Sequence, residues 1–155
     1  MNKSLFGKFF VFLLVVGLLF AAAPTMQAQA ATTVITETEL LGALANVDVT
    51  EIELGADITL SATVFVNRSV SIDGKGFTIT GPAADHGIVV IANSVVISNL
   101  TITGSGRSNL QFYRVTGGVV TNVVLTNAAN AGMIVNGSEV TISGVTTTNN
   151  VWGGI

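Results

Sequence analysis

The chain has 155 residues and a formal net charge of −3, with 49% hydrophobic and only 10% charged residues. Charged residues reach less than half of their usual share of about 25%, and the excess of positive charge that marks a nucleic-acid-binding protein is missing. The sequence holds no Cys and one His, which excludes disulfide scaffolds, thiolate metal sites and cysteine nucleophiles and leaves little to bind zinc.

Residues 1–30 have the features of a secretory signal peptide. Two lysines begin the segment, Phe9–Ala23 is an unbroken apolar run, and Ala28-Gln29-Ala30 fits the small-x-small cleavage pattern. The run is shorter than the roughly 20 residues of a membrane span, so we expect cleavage near Ala30 rather than a retained anchor. The mature protein is then secreted or held at the cell surface and meets the membrane only during export.

Residues 31–49 are predicted to form an N-terminal cap that contains one short amphipathic helix. The helix is predicted over Thr36–Asn46, because Thr36 and Glu39 have the spacing of a capping box. The apolar residues that follow are spaced to share one side of such a helix. The predicted apolar face comprises Leu40, Leu41 and Leu44.

From about residue 50 onward the sequence favours short β-strands. Residues 31–155 contain 19 Val, 12 Ile and 18 Thr, all of them β-branched. Apolar runs recur at a period of 22–25 residues in three parallel series, one for each strand of a repeating coil. The series are represented by Ile88-Val89-Val90, Leu110-Gln111-Phe112 and Met133-Ile134-Val135, by Ile72, Ile97, Val120 and Ile142, and by Thr78-Ile79-Thr80 and Thr101-Ile102-Thr103.

The repeat predicts an all-β fold, a parallel β-helix with one helix before its first coil. Residues 50–155 would form coils of 22–25 residues with three short strands each, stacked in parallel about 4.8 Å apart. Each coil would bury its apolar side against its neighbours. The corner pairs Ser98-Asn99 and Thr121-Asn122 agree with this, since Asn tolerates a left-handed φ at little cost.

These features resemble the right-handed parallel β-helix, or pectin-lyase-like, superfamily. The resemblance covers roughly Thr36–Ile155 and rests on the leading helix and on coil segments such as Asn99–Gly104 and Asn136–Ser143. It implies that the helix caps the open end of the core. The fold hosts lyases, hydrolases, adhesins and passive stalks, so the resemblance implies a fold more sharply than a function.

The repeat also predicts that the chain is the N-terminal part of a longer solenoid. Gly153-Gly154-Ile155 is in register with the residues that lead into Ile88, so the sequence stops where a coil's first strand starts. An uncovered solenoid end is a β-edge that invites aggregation. We expect further coils of the same chain, or a capping partner, at this end; a short protein capped by a partner or by its own copy is the alternative.

The few charged and aromatic residues gather around the first strand of each coil and its flanking loops. The resemblance implies that polysaccharide-cleaving members place their sites on this face. We predict a shallow saccharide-binding face with Trp152 and Tyr113 as stacking platforms and with arginines as donors to sugar carboxylates or hydroxyls. An ordinary ion pair between Asp85 and Arg107 is the alternative explanation. The candidate substrate-binding residues are Asp85, His86, Arg107, Tyr113, Arg114 and Trp152.

No catalytic residue, metal site or cofactor is predicted within this stretch. The resemblance implies Ca²⁺ on clustered carboxylates with an Arg base in lyases, and neighbouring Asp residues in hydrolases. General acid–base chemistry and calcium binding both require grouped carboxylates. The sequence after Asp73 contains only two acidic residues, Asp85 and Glu139. Whether the protein is an enzyme stays open, because Ca²⁺ and an active site would need carboxylates from downstream coils.

The predicted function is an exported β-helix segment that serves as an extracellular or cell-surface scaffold and contacts polysaccharide. The second hypothesis is the N-terminal part of a pectate-lyase-like or polygalacturonase-like enzyme whose active site lies downstream. A minor third hypothesis is ice binding by a two-column Thr ladder, which resembles the Thr-x-Thr faces of ice-binding solenoids, although Thr also suits any exposed β face. The ladder is expected to comprise Thr59 and Ser61, Thr78 and Thr80, Thr101 and Thr103, Val124 and Thr126, and Thr146 and Thr148.

Overall fold

The computed structural model describes residues 30–155, which form a parallel β-solenoid of about five turns. The predicted signal peptide, residues 1–30, lies outside the described residues except for Ala30. One helix, α1 (Glu37–Ala45), precedes the coils. In the part of the chain that the structure describes, no helix has the length and apolar character needed to cross a bilayer. The predicted all-β parallel solenoid with a short N-terminal helix is confirmed.

The strands are short, and two of them are longer than the sequence predicts. The strands β8 and β10 each join the second and third strands of a coil, because Asn99 and Asn122 turn the corner with a φ of 54° inside one strand. In chain order the strands are β1 (Thr32–Val34), β2 (Glu51–Leu54), β3 (Ile58–Thr59), β4 (Val64–Val66), β5 (Ser71–Asp73), β6 (Thr78–Thr80), β7 (Ile88–Val90), β8 (Val96–Thr103), β9 (Leu110–Tyr113), β10 (Gly118–Thr126), β11 (Met133–Asn136), β12 (Val140–Ser143) and β13 (Thr146–Thr148).

Every strand pairs in parallel with its equivalent one coil away, and the pairs build two sheets. The larger sheet follows the order β1-β2-β5-β8-β10-β12, with β3, β6 and β13 attached, and the four-stranded sheet follows β4-β7-β9-β11. In the four-stranded sheet Val64 pairs with Ile88, Ile88 with Leu110, and Leu110 with Met133. The coils therefore stack in the register that the predicted period requires.

The core is a continuous stack of aliphatic side chains inside the coils. Inward positions such as Ile97, Ile102 and Leu125 are completely buried, and each alternates with an outward residue because side chains on a strand point to opposite faces in turn. Burial of one such side chain contributes about 1.5–3 kcal/mol. The stack thus supplies the stability that a chain without Cys cannot draw from disulfides.

The last described coil exposes positions that are buried in the coils before it. Ile142 is 39% exposed, whereas its ladder partner Val120 is buried, and Val135 is exposed opposite the buried Phe112. The strands β11, β12 and β13 are each paired on one side only. Within residues 30–155 the apolar stack is therefore open at this end.

The N-terminus of α1 is fixed by Thr36 and Glu39, although Glu39 accepts the N–H of Ile35 and not that of the N-cap Thr36, as a strict capping box would require. The Thr36 hydroxyl accepts the N–H of Glu39 at 3.2 Å, and the Glu39 carboxylate accepts the N–H of Ile35 at 2.7 Å. Thr36 and Asn46 flank the helix as its N-cap and C-cap, so the predicted range is confirmed with its first and last residues acting as caps.

The prediction that Leu41 belongs to the apolar face of the helix is wrong. Leu40, Ala43 and Leu44 are buried against the first coil, whereas Leu41 is exposed. The core-facing positions follow the i, i+3, i+4 spacing of a narrow apolar stripe. Leu41 lies one position, or about 100°, around the helix from Leu40, and it therefore points to solvent.

Two side chains tie α1 to the solenoid, Glu37 of the helix at its N-terminal end and Arg68 of the first coil at its C-terminal end. The carboxylate of Glu37 accepts the N–H of Ser61 at 2.8 Å and its hydroxyl at 3.0 Å. At the other end, the Arg68 guanidinium donates to the carbonyl oxygens of Leu44 and Ala43, both at 2.8 Å. Arg68 thus satisfies two of the carbonyls that a helix leaves unpaired at its C-terminus.

The predicted Thr ladder lies on the outer face of the larger sheet, with one correction of register. Thr59 pairs with Thr80, not with Thr78, and the Asp57 carboxylate accepts the N–H of Thr78 at 2.7 Å. The predicted alignment of Thr59 and Ser61 with Thr78 and Thr80 was wrong, because it required a step of 19 residues and the structure has a step of 21. Ser61 therefore lies outside the ladder.

Candidate functional site

The structure divides the six candidate residues between the two edges of the four-stranded sheet. One group precedes the first strands of the coils, and the other lies at the carboxyl end of β9 and directly after it. The first three residues of β9 separate the groups by roughly 10 Å of extended chain. The first group comprises Asp85, His86, Arg107 and Trp152, and the second comprises Tyr113 and Arg114.

The first group forms a column held by backbone hydrogen bonds from coil to coil. The N–H of Arg107 donates to the Asp85 carbonyl at 3.0 Å, and the N–H of Asn130 donates to the Arg107 carbonyl at 3.2 Å. The N–H of Trp152 then donates to the Asn130 carbonyl at 3.1 Å. The structure therefore places these positions in one column, as the alignment of the coils predicts.

The side chains of this column are open to solvent. Arg107 Nη1 and Asp85 Oδ1 are 4.0 Å apart, and both side chains are more than half exposed. An ion pair of this kind contributes only about 0–1 kcal/mol. Trp152 is 80% exposed, so its indole ring offers a free apolar face at this edge of the sheet.

His86 occupies a structural position beside that column. Its Nδ1 accepts the N–H of Ser108 from the next coil at 3.3 Å, and its carbonyl accepts the Thr63 hydroxyl at 2.9 Å. Partial burial, together with the positive charge of Arg107, lowers the pKa of His86 below its ordinary value of 6.5. At neutral pH His86 is therefore a neutral side chain that links neighbouring coils.

The second group pairs an aromatic ring with a cation. Arg114 adopts a left-handed φ of 54° directly after β9, and its guanidinium carbon lies 5.0 Å from the centre of the Tyr113 ring. Such a cation–π contact contributes about 0.5–1 kcal/mol at an exposed site. The contact holds an exposed ring and a set of guanidinium donors next to each other.

Sequence reasoning missed two exposed apolar residues on the same face. Phe65 in β4 is 56% exposed, and Ile91, which directly follows β7, is 46% exposed. Val89 also points outward, yet it is buried, because it lies between Phe65 and Gln111 in the ladder. The alternation in Val64-Phe65-Val66 carried the signal, since the middle residue of a strand flanked by inward positions must point out. We call Phe65, Val89, Ile91 and Tyr113 the apolar patch.

A set of polar contacts lies at the corners between the second and third strands of the coils. The Asn122 side chain donates to Asn99 Oδ1 at 3.3 Å, and the Asn99 side chain donates to Asp73 Oδ1 at 3.1 Å. Lys75 pairs with Glu53 at 3.1 Å and with Asp73 at 3.7 Å. Within residues 30–155 no group of three His, Cys, Asp or Glu side chains could hold a metal ion.

A parallel β-solenoid with an aromatic and cationic outer face defines the chain as a β-helix repeat protein. Residues 31–152 match the pectate lyase-like adhesive domain family, and the chain belongs to this family. The predicted resemblance to pectin-lyase-like β-helices is thereby confirmed. No curated protein and no solved structure matches the chain. The family and the fold together support a cell-surface or polysaccharide-related scaffold.

Proposed function

We propose that this protein is an extracellular or cell-surface scaffold that contacts polysaccharide through the outer face of its four-stranded sheet. The observation that carries the proposal is the apolar patch with the Arg114 guanidinium stacked on Tyr113. Exposed apolar patches rimmed by polar residues often mark binding sites. The adhesive family to which residues 31–152 belong supports the same reading.

The chemistry of the patch suits a sugar chain. An exposed aromatic ring offers a flat apolar face with a polar tip, which fits the flat apolar side of a pyranose ring. Arg114 adds planar donors that can hydrogen-bond two oxygens of a carboxylate or vicinal hydroxyls together. Tyr113 and Arg114 therefore form the centre of the proposed contact, and the exposed side chains of Arg107 and Trp152 extend it at the opposite edge of the sheet.

Secretion and surface location belong to the same proposal. The signal-peptide features of residues 1–30 and the adhesive character of the family both support export. Cleavage near Ala30 would release the described residues almost in full. Amino-terminal sequencing of the protein secreted by its native host tests this step, and an intact Met1 terminus would contradict it.

The binding proposal is tested by retention of the purified protein on immobilised polysaccharides, one rich in uronic acids and one neutral. We expect the wild type to be retained and Tyr113→Ala to bind about threefold to tenfold more weakly, since an aromatic contact contributes about 0.5–1.5 kcal/mol. Trp152→Ala and Arg107→Ala test the second edge. Val47→Ala is the control, because Val47 is an apolar residue in the loop after α1 that is 78% exposed, close to the 80% of Trp152. Equal retention of all variants would overturn the proposed face.

A further inference from the structure

The third strand of each coil carries a regular array of outward-pointing threonines. This array lies on the larger sheet, whereas the apolar patch lies on the four-stranded sheet. We call this array the threonine face. One column is an unbroken row of threonine, one per coil, and the other is interrupted once by valine. The paired residues are Thr59, Thr80, Thr103, Thr126 and Thr148 in the first column, and Thr78, Thr101, Val124 and Thr146 in the second.

General preference for threonine in strands does not account for this regularity. The second-strand positions of the same larger sheet also point outward and are subject to the same preference. They form two columns that hold few threonines. One reads Thr33, Glu53, Asp73, Ser98, Thr121 and Ser143, and the other reads Glu51, Ser71, Val96, Val119 and Thr141. The threonines are thus concentrated on one face of the solenoid, and from β6 onward this face carries no charged residue at its outward positions.

The threonine hydroxyls and methyls have fixed positions. A β-branched side chain has few allowed χ1 rotamers. The Thr148 hydroxyl donates to the Thr126 hydroxyl at 3.0 Å, and the Asn127 side chain donates to the Thr103 hydroxyl at 3.2 Å. The face is therefore a rigid array in which hydroxyls and methyl groups repeat with the period of the coils.

The spacing of this array approaches that of the ice lattice. Neighbouring residues in a column are about 4.8 Å apart, and the two columns, two residues apart on each strand, are about 6.6–6.8 Å apart. In a tetrahedral water network with O···O distances of about 2.75 Å, second-neighbour oxygens lie about 4.5 Å apart, and the perpendicular repeat is about 7.3 Å. The mismatch in each direction is under about 10%.

We infer that the threonine face binds ice. Hydroxyl groups at these spacings can replace lattice water oxygens, and the methyl groups between them favour ordered water because they offer it no competing hydrogen bond. A charged side chain would hold its own hydration shell, so the uncharged character of the face from β6 onward favours the same occupant. The activity is additional to the proposed polysaccharide contact and uses a separate surface.

The test is the gap between the freezing and melting temperatures of the purified protein solution, together with the shape of the ice crystals. We expect a gap larger than that of buffer, and faceted crystals. Thr103→Tyr, at the centre of the face, should abolish the gap, whereas the matched control Thr121→Tyr on the other part of the sheet should keep it. Val124→Thr completes the second column and should widen the gap.

Further measurements keep the outcomes distinct. Circular dichroism melts identify any variant that fails to fold, and Thr126→Val replaces one hydroxyl by a methyl group while it keeps the branched shape of the side chain. Polysaccharide retention should be unchanged in Thr103→Tyr, so that failure of one proposal does not imply failure of the other. A wild-type protein that shows neither a gap above buffer nor faceted ice overturns the inference, as does equal activity of Thr103→Tyr and wild type.

Discussion

Replacement of Arg68 by alanine should release the N-terminal helix from the solenoid. The guanidinium of Arg68 lies partly buried between the first coil and α1, where it donates to the carbonyls of Ala43 and Leu44 at 2.8 Å each. The last turn of α1 contains no basic residue of its own. Arg68→Ala therefore removes both hydrogen bonds and the only cation that the structure places at this helix end within the described residues.

The expected loss follows from these contacts. A hydrogen bond to a charged group contributes about 1.5–3 kcal/mol when buried, and we take about 1 kcal/mol for each because water can partly replace the guanidinium here. A cation at a helix C-terminus adds about 0.3–1 kcal/mol. The sum is a loss of about 2–3 kcal/mol in the free energy of unfolding, or about 8–12 °C in Tm for a domain of this size.

Thermal melts followed by circular dichroism measure this loss. Arg107→Ala is the matched control, because its exposed ion pair of 4.0 Å contributes at most about 1 kcal/mol. Arg68→Lys should fall between the two, since a single ammonium cannot reproduce the planar arrangement of guanidinium donors. Melting of Arg68→Ala within about 1 °C of Arg107→Ala would refute the assignment of Arg68 as the cap of α1.

Three further predictions concern packing and pH. An added Cβ at Gly74 overlaps Leu100, so Gly74→Ala should lower the free energy of unfolding by about 1–3 kcal/mol or more. In α1 an added Cβ at Gly42 meets nothing within 4 Å, so Gly42→Ala should raise the free energy of unfolding by about 0.5–1 kcal/mol. Denaturant titration measures both changes. Leu125→Ala should cost about 2–5 kcal/mol by the same measurement, because Leu125 is completely buried. Hydrogen bonds from the backbone N–H and the hydroxyl of Ser61 hold the pKa of Glu37 below its ordinary 4.5. The stabilising contribution of Glu37 is therefore complete above pH 4.5 and is lost as the pH falls through the lowered value. Melts at decreasing pH should therefore show a smaller acid loss for Glu37→Gln than for wild type, and equal losses would contradict this role.

The repeat made most of this fold predictable. Inward and outward positions of the later coils followed from a period that the structure confirms to the residue, for example in the pairing of Ile72 with Ile97 and of Ile97 with Val120. The first coil was harder to align because its steps are unequal, with 20 residues from Ile52 to Ile72 and 24 from Val64 to Ile88, and the alignment of Thr59 failed there. A period predicts the alignment of coils only where several coils share it. The first coil has a complete neighbouring coil on one side, whereas among residues 30–155 only the strand β1 pairs with it on the other side.

The candidate site was predictable in its parts but not in its layout. The column of Asp85, Arg107 and Trp152 followed from the alignment of the coils. The distance between the two groups of candidate residues depends on the length of the strands between them, which the repeat period does not predict. The role of Arg68 could not be inferred, because its partners are backbone carbonyls. Such partners leave no residue pattern in the sequence.

The parallel stacking of coils has a mechanical consequence for an adhesive domain. Each coil shares its hydrogen bonds only with the coils directly beside it, so a coil at the open end is held by one interface and an inner coil by two. When residues 30–155 are studied alone, tension applied to the last coil should therefore detach coils one at a time, and hydrogen-exchange protection should rise in steps from β13 toward β5. Each released coil of about 22 residues adds about 75 Å of extended chain. Such a domain lengthens under load in discrete increments while its remaining coils keep their outer faces intact.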